Sequence, residues 1–265
     1  MAAAAVAKAF ARERIVVLAS LLALTVLAWL YLWLEAARMA AMGTGGQPME
    51  PAAMAGTMVM QPWAFGPLLL TFLMWSVMMV GMMLPSAAPA IVLYGAAARQ
   101  HRQTGSTLPA TWVFTAGYLF VWIGFSLAAT VLQTAFQAGH LLTPAMVSAN
   151  TWLSGTVLIA AGIYQWLPAK GACLERCRAP LSFFLFRWRP GTAGAFWMGA
   201  EHGLFCVGCC WALMLVLFAT GVMNLLWVAL IAGFVIVEKV VPGGNIIGRI
   251  TGVGLVLAGG AMMAS

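Results

Sequence analysis

The stretch GAFWMGAEHGLFCVGCCWALMLVLFAT, residues 194–220, decides the fold that this sequence predicts. Its only formal charge is on Glu201, and it is longer than the roughly 20 apolar residues with which a helix crosses a bilayer. At helical spacing, Cys206, Cys209 and Cys210 share one face with His202, which precedes them by one turn. The stretch therefore predicts a membrane-spanning helix with soft metal ligands near its middle.

The composition of the whole chain is typical of an integral membrane protein. Hydrophobic residues make up 63%, charged residues make up 7%, and the mean hydropathy is +0.97, which excludes an ordinary soluble domain. Candidate spans lie at about 15–34, 67–94, 110–132, 148–167, 194–220, 224–241 and 246–263. The sequence thus predicts an all-α, polytopic transmembrane helical bundle of about seven spans.

We interpret residues 1–265 as a single integral membrane domain with three parts. Residues 1–35 are predicted to be a signal-anchor helix, because their apolar run is too long for a typical signal peptide. Residues 36–66 are predicted to be a methionine-rich outer loop, and residues 67–263 a six-helix metal-binding bundle.

The distribution of basic residues predicts the orientation. Cytoplasmic loops of membrane proteins are rich in Lys and Arg. With a cytoplasmic N-terminus, every Lys and Arg except Arg38 falls on the inner side. The expected location is the inner (plasma) membrane of a bacterium, crossed many times. The net charge of +7 then reflects topology and contact with anionic lipids, and it does not indicate nucleic acid.

A second segment repeats the cysteine pattern with methionine. Met79-Val80-Gly81-Met82-Met83 matches Cys206-Val207-Gly208-Cys209-Cys210, with thioethers in place of thiols. Such a methionine stripe is often simple core packing, but the matching position in a second span also fits a metal site. The predicted metal ligands are Cys206, Cys209, Cys210, His202, Met74, Met78, Met79, Met82, Met83 and Met198, with Glu201 as a polar partner of the site.

The donor types favour a soft metal. Thiolates and thioethers prefer Cu(I), whereas Cys and His together also bind Zn²⁺ readily. The outer loop adds thioethers that either capture Cu(I) on the oxidising side or lie on the membrane surface. Cu(I) is therefore the expected ion and zinc the competitor. The loop methionines are Met39, Met42, Met49, Met54, Met58 and Met60.

Polar residues near the inner boundary have less specific interpretations. Lys239 is expected to extend towards the membrane surface, and Glu238 to pair with an arginine. Cys173 and Cys177, in a basic segment predicted to be a loop, fit either a metal exit site or two free thiols.

These motifs carry a resemblance to a known family. The segment from Glu201 to Met214, the motif Gly221-Val222-Met223-Asn224, the motif Val237-Glu238-Lys239 and the segment from Met74 to Pro85 resemble a bacterial family of predicted metal-binding integral membrane proteins. The resemblance covers roughly residues 67–263. It implies a metal site at these residues and implies no reaction.

The sequence leaves three functional classes. The first is a copper carrier or transporter, and the second is an accessory or assembly subunit of a larger membrane enzyme, with or without its own metal. An enzyme is the third, which the absence of an evident nucleophile, acid–base pair or nucleotide loop disfavours. The expected partners are the lipid bilayer, a metal ion and a membrane or soluble protein, with no nucleic acid.

Overall fold

The fold is described by a computed structural model that covers residues 2–44, 63–101, 106–142, 150–180, 184 and 187–264, with side chains from residue 11 and none described for 39–44. The described residues form eight α-helices, as the all-α prediction requires. The outer-loop methionines from Met39 to Met60 lie outside the described side chains. The helices are α1 (Ala2–Thr44), α2 (Phe65–His101), α3 (Leu108–Ala138), α4 (Thr151–Tyr164), α5 (Pro168–Arg178), α6 (Gly191–Thr220), α7 (Leu225–Val240) and α8 (Gly244–Ala264).

Five of these helices, α1, α2, α3, α6 and α8, are long and apolar enough to cross a membrane. The remaining apolar helices are short, since α4 has 14 residues and α7 has 16. Helices α4 and α5 together reach spanning length, but they meet at a bend of 64°. All seven predicted apolar stretches are helical, whereas the described helices support five spans, or six with the bent pair.

Short polar residues set the beginnings of the two short apolar helices. The side chain of Asn150 accepts a hydrogen bond from the backbone N–H of Trp152 at 2.8 Å. Asn224 does the same for the N–H groups of Leu226 and Trp227 at α7. Asparagine is among the preferred residues at this position because its carbonyl oxygen satisfies backbone donors that have no partner within the helix.

Helix α1 packs on α2 beside a backbone carbonyl that has lost its hydrogen-bond donor within the helix because of a proline. Pro85 lies inside α2 and has no N–H, so the carbonyl of Gly81 loses its usual acceptor role within the helix. The indole Nε1 of Trp29 donates to this oxygen at 3.2 Å. Apolar surroundings make an unsatisfied carbonyl costly, so the contact ties α1 to the methionine segment of α2.

Helices α3 and α6 are in very close contact. A Cβ atom at Gly199 would lie 1.9 Å from the carbonyl oxygen of Phe114, and one at Gly117 would lie 2.1 Å from that of Phe196. Only glycine allows backbones to approach this closely, which is how small residues drive helix association in membranes. The cysteine helix is thereby fixed against α3.

Helix α5 corrects one prediction from the sequence, because these residues were expected to form a loop. It packs against α6 and α7, with Leu174 in the core. Its ion pair joins Lys170 to Glu238 of α7, and both side chains are almost fully buried. The expectation that Glu238 pairs with an arginine was therefore wrong.

Candidate metal centre

Three buried thiols form the centre of the candidate site. Cys206, Cys209 and Cys210 are each at most 1% exposed. The Sγ atoms of Cys209 and Cys210 both lie 3.0 Å from the carbonyl oxygen of Cys206, to which their thiols donate. Positions three and four residues apart meet on one helix face, so the α-helix itself brings the three sulfurs together.

Helix α2 contributes a thioether to this cluster. The Sδ atom of Met83 lies 3.9 Å from the Sγ atom of Cys210. The ring of Trp75 on α2 lies 5.5 Å from that of Phe218 on α6, so the side-chain contacts between these two helices run antiparallel. Thiol and thioether of the two matching segments are therefore neighbours in space. The other candidate thioethers of α2 are buried in the same core and belong to Met74, Met78, Met79 and Met82.

Cys206 has two polar neighbours that the sequence analysis did not assign to the site. The hydroxyl of Tyr118 lies 3.1 Å from its Sγ atom and 3.2 Å from the carbonyl oxygen of Met83. The ammonium group of Lys239 donates to the same sulfur at 2.9 Å and to Ser86 Oγ at 3.1 Å. Helices α3 and α7 thus contact Cys206 directly, and both contacting side chains are also hydrogen-bonded to α2.

The position of Lys239 contradicts the expectation that it extends to the membrane surface. Its side chain is buried, with the residue 8% exposed. The sequence shows only that Lys239 follows Glu238 at the end of an apolar run, and this does not show which helix Lys239 faces. A buried ammonium needs a compensating partner, and here a thiol sulfur and a hydroxyl provide it.

His202, Met198 and Glu201 lie towards the start of α6. His202 is buried, and its ring lies 6.0 Å from the ring of Tyr118. The thioether of Met198 accepts a hydrogen bond from the backbone of Arg189 at 3.4 Å, and the Glu201 carboxylate pairs with Arg187 at 2.7 Å. Their roles in metal binding stay predictions. Of the three, His202 is the one that shares a neighbour, Tyr118, with the sulfur cluster.

Helix α5 brings two further thiols to the cysteine helix. The thiol of Cys177 lies within interaction range of that of Cys209. Cys173 lies over Gly208, where an added Cβ would come 2.7 Å from its Sγ atom. Both residues are half-buried. Their separation of four residues places them on one helix face, and this was the signal in the sequence that could have linked them to α6.

The sulfur cluster contains donor atoms of the kind that soft metals prefer. Among the described His, Cys, Asp and Glu side chains, no group of three or more converges as a ready-made metal cage. The thiols instead contact the Cys206 carbonyl oxygen, Met83, Tyr118 and Lys239. Sulfur donors of two kinds suit Cu(I) and exclude the oxygen-seeking ions Mg²⁺ and Ca²⁺.

Comparison with known proteins agrees with this chemistry. The model of the PpoB2 copper chaperone family matches residues 72–262, which include every helix that contacts the sulfur cluster. The chain belongs to the PpoB2 copper chaperone family. No curated protein and no solved structure matches it. As a member of this family the chain takes part in copper handling, and its long apolar helices are compatible with a membrane protein.

Proposed function

We propose that this copper chaperone is a multi-pass protein of the bacterial inner membrane that carries Cu(I) on the sulfur cluster of α2 and α6. Cys206, Cys209 and Cys210 supply the thiolates, and Met83 supplies the nearest thioether. The observation that carries the proposal is the contact of these buried sulfurs within a chain of the copper chaperone family. In apolar surroundings, a thiolate needs a positive partner, and a bound metal ion provides one.

The choice of Cu(I) over Zn²⁺ rests on the thioether and on the positive neighbour. Zinc sites in proteins use Cys, His and carboxylate ligands, whereas methionine is a ligand for Cu(I). The site also contains the ammonium group of Lys239. A divalent ion would be repelled more strongly by that group than a monovalent ion.

The proposed topology has seven spans and a cytoplasmic N-terminus. In this arrangement α4 and α7 cross the membrane although they are short, with α5 continuing α4 at the inner boundary. Two contacts of basic residues support it, because each joins helix ends that this topology assigns to the inner side. Arg99 pairs with Glu13, and Arg178 donates to the carbonyl of Val241.

The decisive experiment replaces Cys206, Cys209 and Cys210 together by serine, in protein purified in mild detergent. Serine keeps nearly the same volume, so the variant should elute as the folded protein does while it loses bound Cu(I). Copper is measured by elemental analysis after anaerobic loading, with zinc offered in parallel. Ser76→Ala on α2, remote from the cluster, is the control. Full copper stoichiometry in the folded triple variant would refute the site.

A further inference from the structure

We propose that Cys177 and Cys173 of α5 form a second soft-metal position, which receives Cu(I) from Cys209 and passes it to the aqueous face of the protein. The inference rests on the proposed function of the buried cluster. It adds a separate position, on a different helix, with its own ligands.

The contact between α5 and α6 is the first observation behind the proposal. Helix α5 packs against α6, which brings the thiol of Cys177 within interaction range of the thiol of Cys209, and Cys173 lies one turn away on the same face of α5. The Sγ atom of Cys173 lies so close to Gly208 that a methyl group there would come within 2.7 Å of it. A glycine between the cysteines of α6 therefore gives α5 the room to place its sulfurs beside them.

The difference in burial between the cysteines of α6 and those of α5 is the second observation. Cys209 is 1% exposed, whereas Cys173 and Cys177 are only half-buried. The cysteine residues thus run from fully buried on α6 to partly exposed on α5. An ion that leaves Cys209 needs a next soft ligand, and the neighbouring thiol of Cys177 provides one.

The exposed charged residues of α5, Glu175 and Arg176, are the third observation behind the proposal. Trp166, just before α5, donates to the carbonyl of Arg249, and the guanidinium of Arg176 lies 4.5 Å from the ring centre of Phe205. Tryptophan and arginine are residues of the membrane–water boundary. Cysteines of α5 therefore lie where an aqueous acceptor can reach them.

The transfer is a ligand exchange without redox change. The bond from Cu(I) to the Cys209 sulfur breaks as a bond to the Cys177 sulfur forms, the bonds to Cys206 and Cys210 break in turn as the later ligands bind, and the copper stays Cu(I). The proton released from the incoming thiol goes to the departing thiolate. A further exchange with Cys173, and then with a soluble ligand, completes the release.

The test measures Cu(I) transfer from anaerobically loaded protein in detergent to bathocuproine disulfonate, a water-soluble Cu(I) chelator, by absorbance. The variant Cys173→Ser/Cys177→Ser should load as much copper as the natural chain but release it about tenfold more slowly, because the soft ligands along the route are gone. Gly208→Ala keeps every sulfur and displaces that of Cys173, so it should slow release to a smaller extent.

Two controls on α5 separate this effect from general damage. A Cβ at Gly171 meets no atom within 4 Å, and Ala172 is exposed, so Gly171→Ala and Ala172→Ser should release copper at the natural rate. Natural release rates in the double cysteine variant would overturn the proposal. So would loss of its copper on loading, because Cys173 and Cys177 would then belong to the first site. The buried site itself is judged separately, by the equilibrium stoichiometry of the triple serine variant.

Discussion

At the scale of single residues, the buried ammonium of Lys239 distinguishes the sulfur cluster from ordinary packing between helices. It lies 2.9 Å from the Cys206 sulfur. A Cu(I) ion held by a pair of thiolates is a net anion, and an uncompensated anion is costly in an apolar interior. Lys239 provides the compensating charge. Opposite charges about 4 Å apart interact by about 4 kcal/mol at the effective dielectric constant of a protein.

Lys239→Leu tests this role, because it places an apolar side chain at the position, removes the charge and adds no metal ligand. We expect Cu(I) affinity to fall by about tenfold or more, since the copper-bound thiolates lose their counter-charge. Competition with a chelator of known Cu(I) affinity measures the change. Lys239→Arg retains the charge and should bind Cu(I) more tightly than the leucine variant. Copper binding by Lys239→Leu as tight as in the natural chain would show that the ammonium only holds helices together.

At the scale of helices, α5 is held in place by a buried polar contact. The ammonium of Lys170 contacts both the Glu238 carboxylate of α7 and the amide oxygen of Gln165. A Cβ at Gly248 of α8 would come within 2.3 Å of that carboxylate. Helices α5, α7 and α8 therefore meet at one ion pair. This contact fixes the helix that holds Cys173 and Cys177.

Glu238→Gln should destabilise the fold, because it leaves the buried Lys170 ammonium without its counter-charge. Breaking a buried pair from one side costs about 3–5 kcal/mol. The free energy of unfolding in mixed detergent micelles measures the effect. Glu175→Gln, at an exposed position of α5, is the control. Replacing both partners, as in Lys170→Met/Glu238→Gln, should recover much of the loss. Equal stability of Glu238→Gln and the natural chain would contradict the structural role.

At the scale of the whole molecule, the sequence predicts the helices better than their contacts. Each apolar run is helical, because hydrophobic length is a local property that the sequence displays directly. Helix α5 was missed, since its cysteines and basic residues have no apolar run to mark them. The spacing of Cys206, Cys209 and Cys210 in the sequence was enough to predict that they share one face of α6. The neighbours Tyr118 and Lys239 could not be predicted, because they depend on how α3 and α7 pack.

The arrangement of the whole bundle makes the proposed topology testable. Helix α8 runs antiparallel to α4, because Gly259 meets Gly155 and Gly252 meets Gly162. The end of α8 therefore lies on the same side as the start of α4, as seven spans require. The aromatic rings of His101 and Trp188 stack at 4.4 Å, which joins the end of α2 to the segment before α6 on the opposite side.

Reporter fusions should accordingly place residues 105 and 175 in the cytoplasm and residues 50, 140 and 265 in the periplasm. The physical reason is the preference of Lys and Arg for the cytoplasmic side, and Arg38 is the only basic residue assigned outside. Arg99→Ala is the control. It removes a single basic residue and should leave the topology unchanged, because many other basic residues remain on the cytoplasmic side. A cytoplasmic signal at residue 50 would invert α2 and α6 together. Cys173 and Cys177 would then face the oxidising side, where thiols become disulfides, and copper release through α5 would no longer be tenable.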